Sequence, residues 1–187
     1  DARTETDWKP VVRKQDRERW NDWGIGLLLQ GDLKGAEYAF MRVTEADPDY
    51  ADGWLNVARA LIQEGETEAA KPYIEKALKI NDQLGRIHFF KAMVEKADGD
   101  YEAALASLQR VAAQYPRDRV VQNQMGRILF LKRDYQRAIA AFQQVLRVDP
   151  EDVQAHYNLM LCYRGAGDIE NAQREERLFK RFKADES

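Results

Sequence analysis

An all-α solenoid of antiparallel helix pairs is the fold class that this sequence predicts, and three recurrences predict it. Ala36, Ala70, Ala104, Ala138 and Ala172 follow one another at 34-residue intervals. Pro48, Pro116 and Pro150 keep the same interval, with Asp82 in the remaining slot. Gly31, Gly65, Gly99 and Gly167 keep it too, and Arg133 stands in the fourth place. A fixed period of roughly 20 to 50 residues marks a stacked array, and one of this length marks paired helices.

The bulk numbers narrow the function. The chain has 187 residues, the size of one ordinary domain. Its 29 basic and 32 acidic residues leave a net charge of -3, with both signs interspersed. Nothing in that balance resembles the basic footprint of a nucleic-acid binder, so no nucleic acid is expected as partner. A single cysteine, Cys162, excludes an internal disulfide and a Cys-rich metal site. The longest apolar run, Ile25–Leu29, is far too short to cross a bilayer, so no membrane insertion is expected. No signal peptide is visible. The chain begins at Asp1 without a methionine, which predicts a processed or excised piece and leaves the cytoplasm and the bacterial periplasm both open.

With the proline slot set as position 32, the repeats span 17–50, 51–84, 85–118, 119–152 and 153–187. Residues 1–16 form an N-terminal extension, in which Trp8 and Pro10 predict an extended or turn segment packed against the first hairpin. Within each repeat, helix A takes about the first 14 positions, then a tight turn leads to helix B. The turns read QGDLKGA, EGETEAA, DGDYEAA, KRDYQRA and AGDIENA. Glycine in four of them supplies the left-handed residue that closes helix A. Asp32, Glu66, Asp100, Asp134 and Asp168 follow, placed to cap the amides of helix B. Arg133 departs from the glycine pattern, which predicts a strained or differently wound turn.

Position 8 of helix A holds Gly24, Ala58, Ala92 and Gly126, and position 20 of helix B is always alanine. Small residues at both places allow the helices of a pair to approach closely. Phe40, Ile74, Leu108 and Phe142 at position 24, and Leu27, Leu61 and Leu129 at position 11, fill the space beside them. Each such side chain contributes about 1.5–3 kcal/mol when buried.

Trp54, Val57, Ala58, Leu61, Ala70, Ile74 and Ala77 in one copy, and Met125, Gly126, Leu129, Ala138, Phe142, Val145 and Pro150 in another, resemble the signature of the tetratricopeptide repeat. The resemblance covers residues 17–183. It implies stacked hairpins in a right-handed superhelix, with helix A lining a concave face.

The fifth and third repeats depart from the others. Position 24 of the fifth is Glu176, and its helix B, NAQREERLFKRFKADES, is charged with Leu178, Phe179 and Phe182 along one side. A terminal helix needs a polar outer face, because no neighbour covers it, so a polar cap is expected. Met160 replaces the small residue at position 8 there. In the third repeat the expected inward positions 7 and 11 hold Lys91 and Glu95, spaced to pair along the helix. Either helix A of that repeat is rotated, or Phe89 and Met93 are displaced into the groove for a ligand.

No catalytic constellation is present, so an enzyme is not expected. The chain lacks GxSxG, a phosphate-binding loop and HExxH. His88 and His156 share position 4 with Trp20 and Trp54, which reads as packing, and two distant histidines make no zinc set. No metal and no cofactor is predicted.

The resemblance places ligand contacts at helix A positions 2, 5, 9, 12 and 13. Here that stripe holds Asn21, Ile25, Leu28 and Leu29, then Leu55, Arg59 and Ile62, then Arg86, Phe89, Met93 and Lys96. Asn123, Arg127 and Phe130 continue it, followed by Tyr157, Leu161 and Arg164. Arginines among apolar side chains suit an acidic peptide with apolar anchors, since a guanidinium holds a carboxylate through two parallel hydrogen bonds. The competing reading is that these arginines only solubilise the inner face. Some chaperone-binding relatives clamp a terminal carboxylate with Lys and Asn. Asn158 fits that clamp, but its lysines are absent. Three functions follow: an adaptor for a peptide or partner protein, a structural spacer or homo-oligomerisation module, and a docking domain. The last rests on the stretch from HYNLMLCYRGAGD to RFKADES, which is similar to repeat domains attached to bacterial multihaem cytochromes. The chain itself has no CxxCH for covalent haem.

Overall fold

Each repeat folds into the two helices that its turn residues punctuate. The computed structural model describes residues 12–186, so the expectation for Trp8 and Pro10 lies outside the described residues. A short 3-10 turn, Lys14–Asp16, leads into the first pair, α1 (Arg17–Gln30) and α2 (Leu33–Ala46). Then come α3 (Ala51–Gln63) and α4 (Thr67–Ile80), α5 (Gly85–Ala97) and α6 (Tyr101–Gln114), and α7 (Arg119–Leu131) and α8 (Tyr135–Val148). The last pair is α9 (Val153–Gly165) and α10 (Ile169–Asp185). Strands are absent among the described residues. The chain divides into two compact units, Asp1–Ile87 and His88–Ser187, the division falling inside α5.

The five turns share one hydrogen-bond pattern. Asp32, Glu66, Asp100, Asp134 and Asp168 donate their amides to the carbonyls of Leu27, Leu61, Glu95, Leu129 and Tyr163, at 2.8–2.9 Å. This is the six-to-one closure of a Schellman ending, and it needs a left-handed residue one place earlier. Gly31, Gly65, Gly99 and Gly167 supply it with φ of 78–83°. Arg133 adopts the same conformation with φ 60°, so its turn is wound like the others and carries the strain of a side chain there. The acidic residues then start helix B. Asp32, Asp100, Asp134 and Asp168 each accept a backbone amide three residues on, at 2.9–3.3 Å. Glu66 makes no side-chain cap, one methylene being too many for that short reach.

In the first unit α1 packs on α2, α2 on α3 and α3 on α4. Ala36, Ala58 and Ala70 have no exposed surface, and Phe40 and Val43 are equally enclosed. A Cβ built on Gly24 would lie 2.5 Å from the Phe40 ring. The second unit repeats the arrangement. Ala92, Ala104, Leu108, Leu129, Ala138 and Phe142 join one core with Leu159, Cys162 and Ala172. A Cβ on Gly126 would meet the Phe142 ring at 2.6 Å. Met160 is buried despite its size. Leu27 is half-buried, while its neighbour Leu28 is the enclosed one.

In the third repeat Glu95 is satisfied by the partner helix of its own hairpin. Glu95 accepts a hydrogen bond from the Ser107 hydroxyl of α6 at 2.7 Å, rather than pairing with Lys91. Phe89 and Met93 are half-buried and packed against the core of the second unit.

Two substitutions test this packing. Gly126→Ala improves helix propensity by about 1 kcal/mol, but it drives a methyl group into an enclosed ring, which costs about 1–3 kcal/mol. A net loss of stability in urea melts is expected, and a net gain would show that Phe142 yields freely. Arg133→Gly removes a left-handed side chain that costs about 1–2 kcal/mol and returns about 0.4–1 kcal/mol of unfolded-chain entropy. A rise of a few degrees in Tm by calorimetry is expected, and a fall would mean that Arg133 holds the turn by another route.

Candidate binding hollow on the second unit

The helix A members of the second unit, with α8 behind them, enclose a concave hollow of about 450 Å³. Lys96 comes from α5, and Arg127, Phe130 and Leu131 come from α7. Gln154, Tyr157, Asn158 and Leu161 come from α9, and the Phe142 ring of α8 reaches in from the core. The period of the helix explains the grouping. Positions 9, 12 and 13 of α7 and positions 2, 5, 6 and 9 of α9 each fall on one face.

Its electrostatics are one-sided. Lys96 Nζ donates to the neutral Gln124 side chain at 3.1 Å. Burial, and then the neighbouring Arg127 guanidinium, hold the Lys96 ammonium below the usual lysine range. Arg127 is exposed and forms no ion pair among the described residues. Two cations therefore face the same space without a carboxylate between them. Asn158 adds an unused donor: its Oδ1 accepts from Gln154 at 3.2 Å, while its buried Nδ2 has no hydrogen-bond partner. Phe130, Leu131, Tyr157 and Leu161 supply apolar wall. Such a lining can hold a carboxylate beside an apolar side chain.

The remaining residues of the predicted stripe lie elsewhere. Leu55 is 1% exposed, so it belongs to the core of the first unit and not to an open face. Its place follows from the tight packing of α3, which buries most of that helix. Asn21 accepts a hydrogen bond from Asn56 at 3.0 Å, and Ile25 is half-buried. Arg59 is half-buried, burial lowers its pKa, and its Nη1 reaches Asn56 at 3.5 Å. Arg86 is engaged by both carboxylate oxygens of Asp52. Arg164 is engaged by Glu176 at 3.2 Å. Asn123 is half-buried, with its Oδ1 enclosed and without a partner. The hollow thus gathers Arg127, Phe130, Tyr157 and Leu161 from the predicted set, with Lys96 and Asn158. It adds Leu131 and Gln154, which stand at stripe positions 13 and 2 and were legible by the same rule. Phe142 was read only as core filler.

His88 and His156 are buried, consistent with packing at position 4. Among the described residues no group of three or more His, Cys, Asp or Glu is placed to hold a metal ion. No described helix is long and apolar enough to cross a membrane. Cys162 is enclosed in the core, and burial pushes its thiol up to about 12 from 9.0.

Three family models described as tetratricopeptide repeat match residues 27–94, 84–118 and 123–177. The chain is 32% identical over 130 residues to peroxisome biogenesis protein 5 of Arabidopsis thaliana, covering 69% of this chain and 17% of that protein. It is 27% identical over 127 residues to anaphase-promoting complex subunit cut9 of Schizosaccharomyces pombe, covering 68% of this chain and 19% of that one. The chain therefore spans under a fifth of the length of these two relatives. Among solved structures, MamA from Desulfovibrio magneticus RS-1 superposes with a TM-score of 0.81 at 18% identity, covering 91% of this chain and 96% of that chain. That likeness shows the fold.

The thiol gives a test of the core of the second unit. In native protein at pH 8, Cys162 should react with a disulfide reagent only at the rate of unfolding, and immediate labelling would place the thiol at the surface. Its raised pKa also sets a sign: the contribution is fully present below about pH 9 and is lost as pH rises towards 12. Relative to Cys162→Ala, wild-type stability should fall across that interval, and parallel profiles would count against the burial.

Proposed function

Belonging to the tetratricopeptide repeat family, this chain is a protein-interaction scaffold, and we propose that its second unit captures an acidic peptide segment with an apolar anchor. The observation that carries the reading is the pairing of Lys96 with Arg127 in one hollow without a counter-charge. A carboxylate entering there relieves the mutual repulsion of the two cations. The apolar anchor rests on Phe130, Leu131, Tyr157 and Leu161. In the first unit, Arg86 is already matched by Asp52. No reaction is assigned to the hollow. The name of one relative, a subunit of the anaphase-promoting complex, describes a part of a larger assembly and agrees with a scaffold role.

Fluorescence anisotropy tests the proposal, with a labelled peptide in which Asp and Glu flank a single Phe or Leu. Hydrogen bonds to charged groups are each worth about 1.5–3 kcal/mol. Removing both cations in Lys96→Ala with Arg127→Ala should therefore weaken capture at least tenfold while leaving Tm unchanged. A peptide with Lys in place of its acids should not bind wild type. Equal capture by wild type and the double variant would exclude the hollow as the site.

A further inference from the structure

We propose that His156 and Glu175 form a positioning pair that traps a proton, fixing α10 on α9 and with it the Tyr157 wall of the hollow. The consequence for ligand capture rests on the reading above, whereas the proton and the helix do not.

Both ring nitrogens of buried His156 face oxygen. Nε2 lies 2.8 Å from the Pro150 carbonyl, and Nδ1 lies 2.6 Å from Glu175 Oε2 on α10. A carbonyl only accepts, so Nε2 carries a hydrogen. The same slot three repeats earlier shows the same bond: Trp54 Nε1, which can only donate, reaches the Pro48 carbonyl at 2.8 Å. Nδ1 must then share a second hydrogen with Glu175. Arg174 Nη2, 3.3 Å from the other Glu175 oxygen, favours the ionised carboxylate, so that hydrogen belongs to the ring and His156 is an imidazolium.

The other charges around the ring are already matched or turned to aromatic faces. Asp149 and Asp152, on the turn before α9, are held by Arg119 at 2.6 and 3.1 Å. The Asp152 carbonyl accepts the His156 amide at 3.2 Å. Arg181 lies over Phe182, whose ring packs 5.3 Å from His156. Losing the Nδ1 hydrogen would set two lone pairs against each other at a buried 2.6 Å contact, with no water to separate them.

The pair reaches the hollow through the next residue. The Tyr157 ring rests 5.3 Å from Phe179 of α10, and Tyr157 lines the hollow. Helix α10 also holds Arg164 through Glu176 at 3.2 Å. Docked α10 therefore backs one wall of the site. In the undocked chain, a free histidine is neutral above about pH 6.5 and a free glutamate is ionised above about 4.3. With both ring nitrogens facing oxygen, docking takes up a proton, so rising pH opposes it.

Nitrogen-15 NMR on the full chain tests this directly, and it needs no variant. At pH 7.5 both His156 ring nitrogens should show protonated shifts, and a pyridine-like nitrogen would overturn the proposal. Glu175→Gln supplies the second arm, because its side-chain amide donates to an unprotonated Nδ1 and keeps the bond without the extra proton. Hydrogen exchange of α10 amides, corrected for intrinsic rates, should lose protection in wild type as pH is raised. The Tyr157 ring resonances should shift along with it. Both should stay flat in Glu175→Gln, and identical pH profiles in the two proteins would refute the latch. If the acidic peptide binds at no pH, the capture reading falls, while the nitrogen shifts and α10 protection still decide the pair.

Discussion

The close approach of the two helices in each pair is the constraint on which the rest of the fold depends. In the first and fourth pairs it is a contact between a missing side chain and a large one. The Gly24 backbone lies against the Phe40 ring, and the Gly126 backbone lies against Phe142. Ala58 and Ala92 occupy the same position with no exposed surface. Tight packing at this joint sets the distance between the axes of a pair. That distance decides which faces of α7 and α9 remain open beside α8. The hollow of the second unit is therefore a by-product of core packing, and Phe142 belongs to both. Interiors packed to crystal-like density transmit such displacements rather than absorb them.

Charges on this protein divide by whether an intrachain partner exists. Arg17 finds Asp47 at 2.8 Å, Arg119 finds Asp149 and Asp152, and Arg86 finds Asp52. These pairs stitch neighbouring helices and leave little charge for a ligand. Where such pairs are exposed they are each worth at most about 1 kcal/mol, so their effect is on which cations stay available more than on stability. Arg127 and Lys96 are left over by this matching. That asymmetry, more than the number of arginines on the inner faces, distinguishes one part of the surface.

Most of the architecture was legible in the sequence because each joint is built from residue size or backbone conformation. Alanine and glycine at fixed intervals mark where helices meet. Glycine before an aspartate marks where one ends and the next begins. The stripe rule picked out Arg127 and Phe130 on one face of α7 and Tyr157 and Leu161 on one face of α9, because helix periodicity groups each pair. It misplaced Leu55, since position on a helix does not say how far a neighbouring helix covers it. It also could not distinguish matched arginines from unmatched ones, because Asp52 and Glu176 sit on other helices. Glu175 escaped for the same reason: in the sequence it is one more charge in an acidic and basic run. Only with α10 against α9 does it meet His156. The neighbouring Glu176, at the position where other repeats carry apolar residues, drew attention instead, yet it remains partly exposed.

The shared turn has a consequence for how such a chain can change length. The bonds that close helix A are made by the backbone, and the cap that opens helix B lies on the next residue. Each hairpin thus carries its own start and stop signals within a few residues and borrows none from a distant part of the chain. A whole repeat can be copied or deleted by recombination without rewriting any turn. What cannot be exchanged freely are the end helices, whose outer faces must meet water. Growth by duplication is therefore cheap in the interior of the array and restricted at its ends.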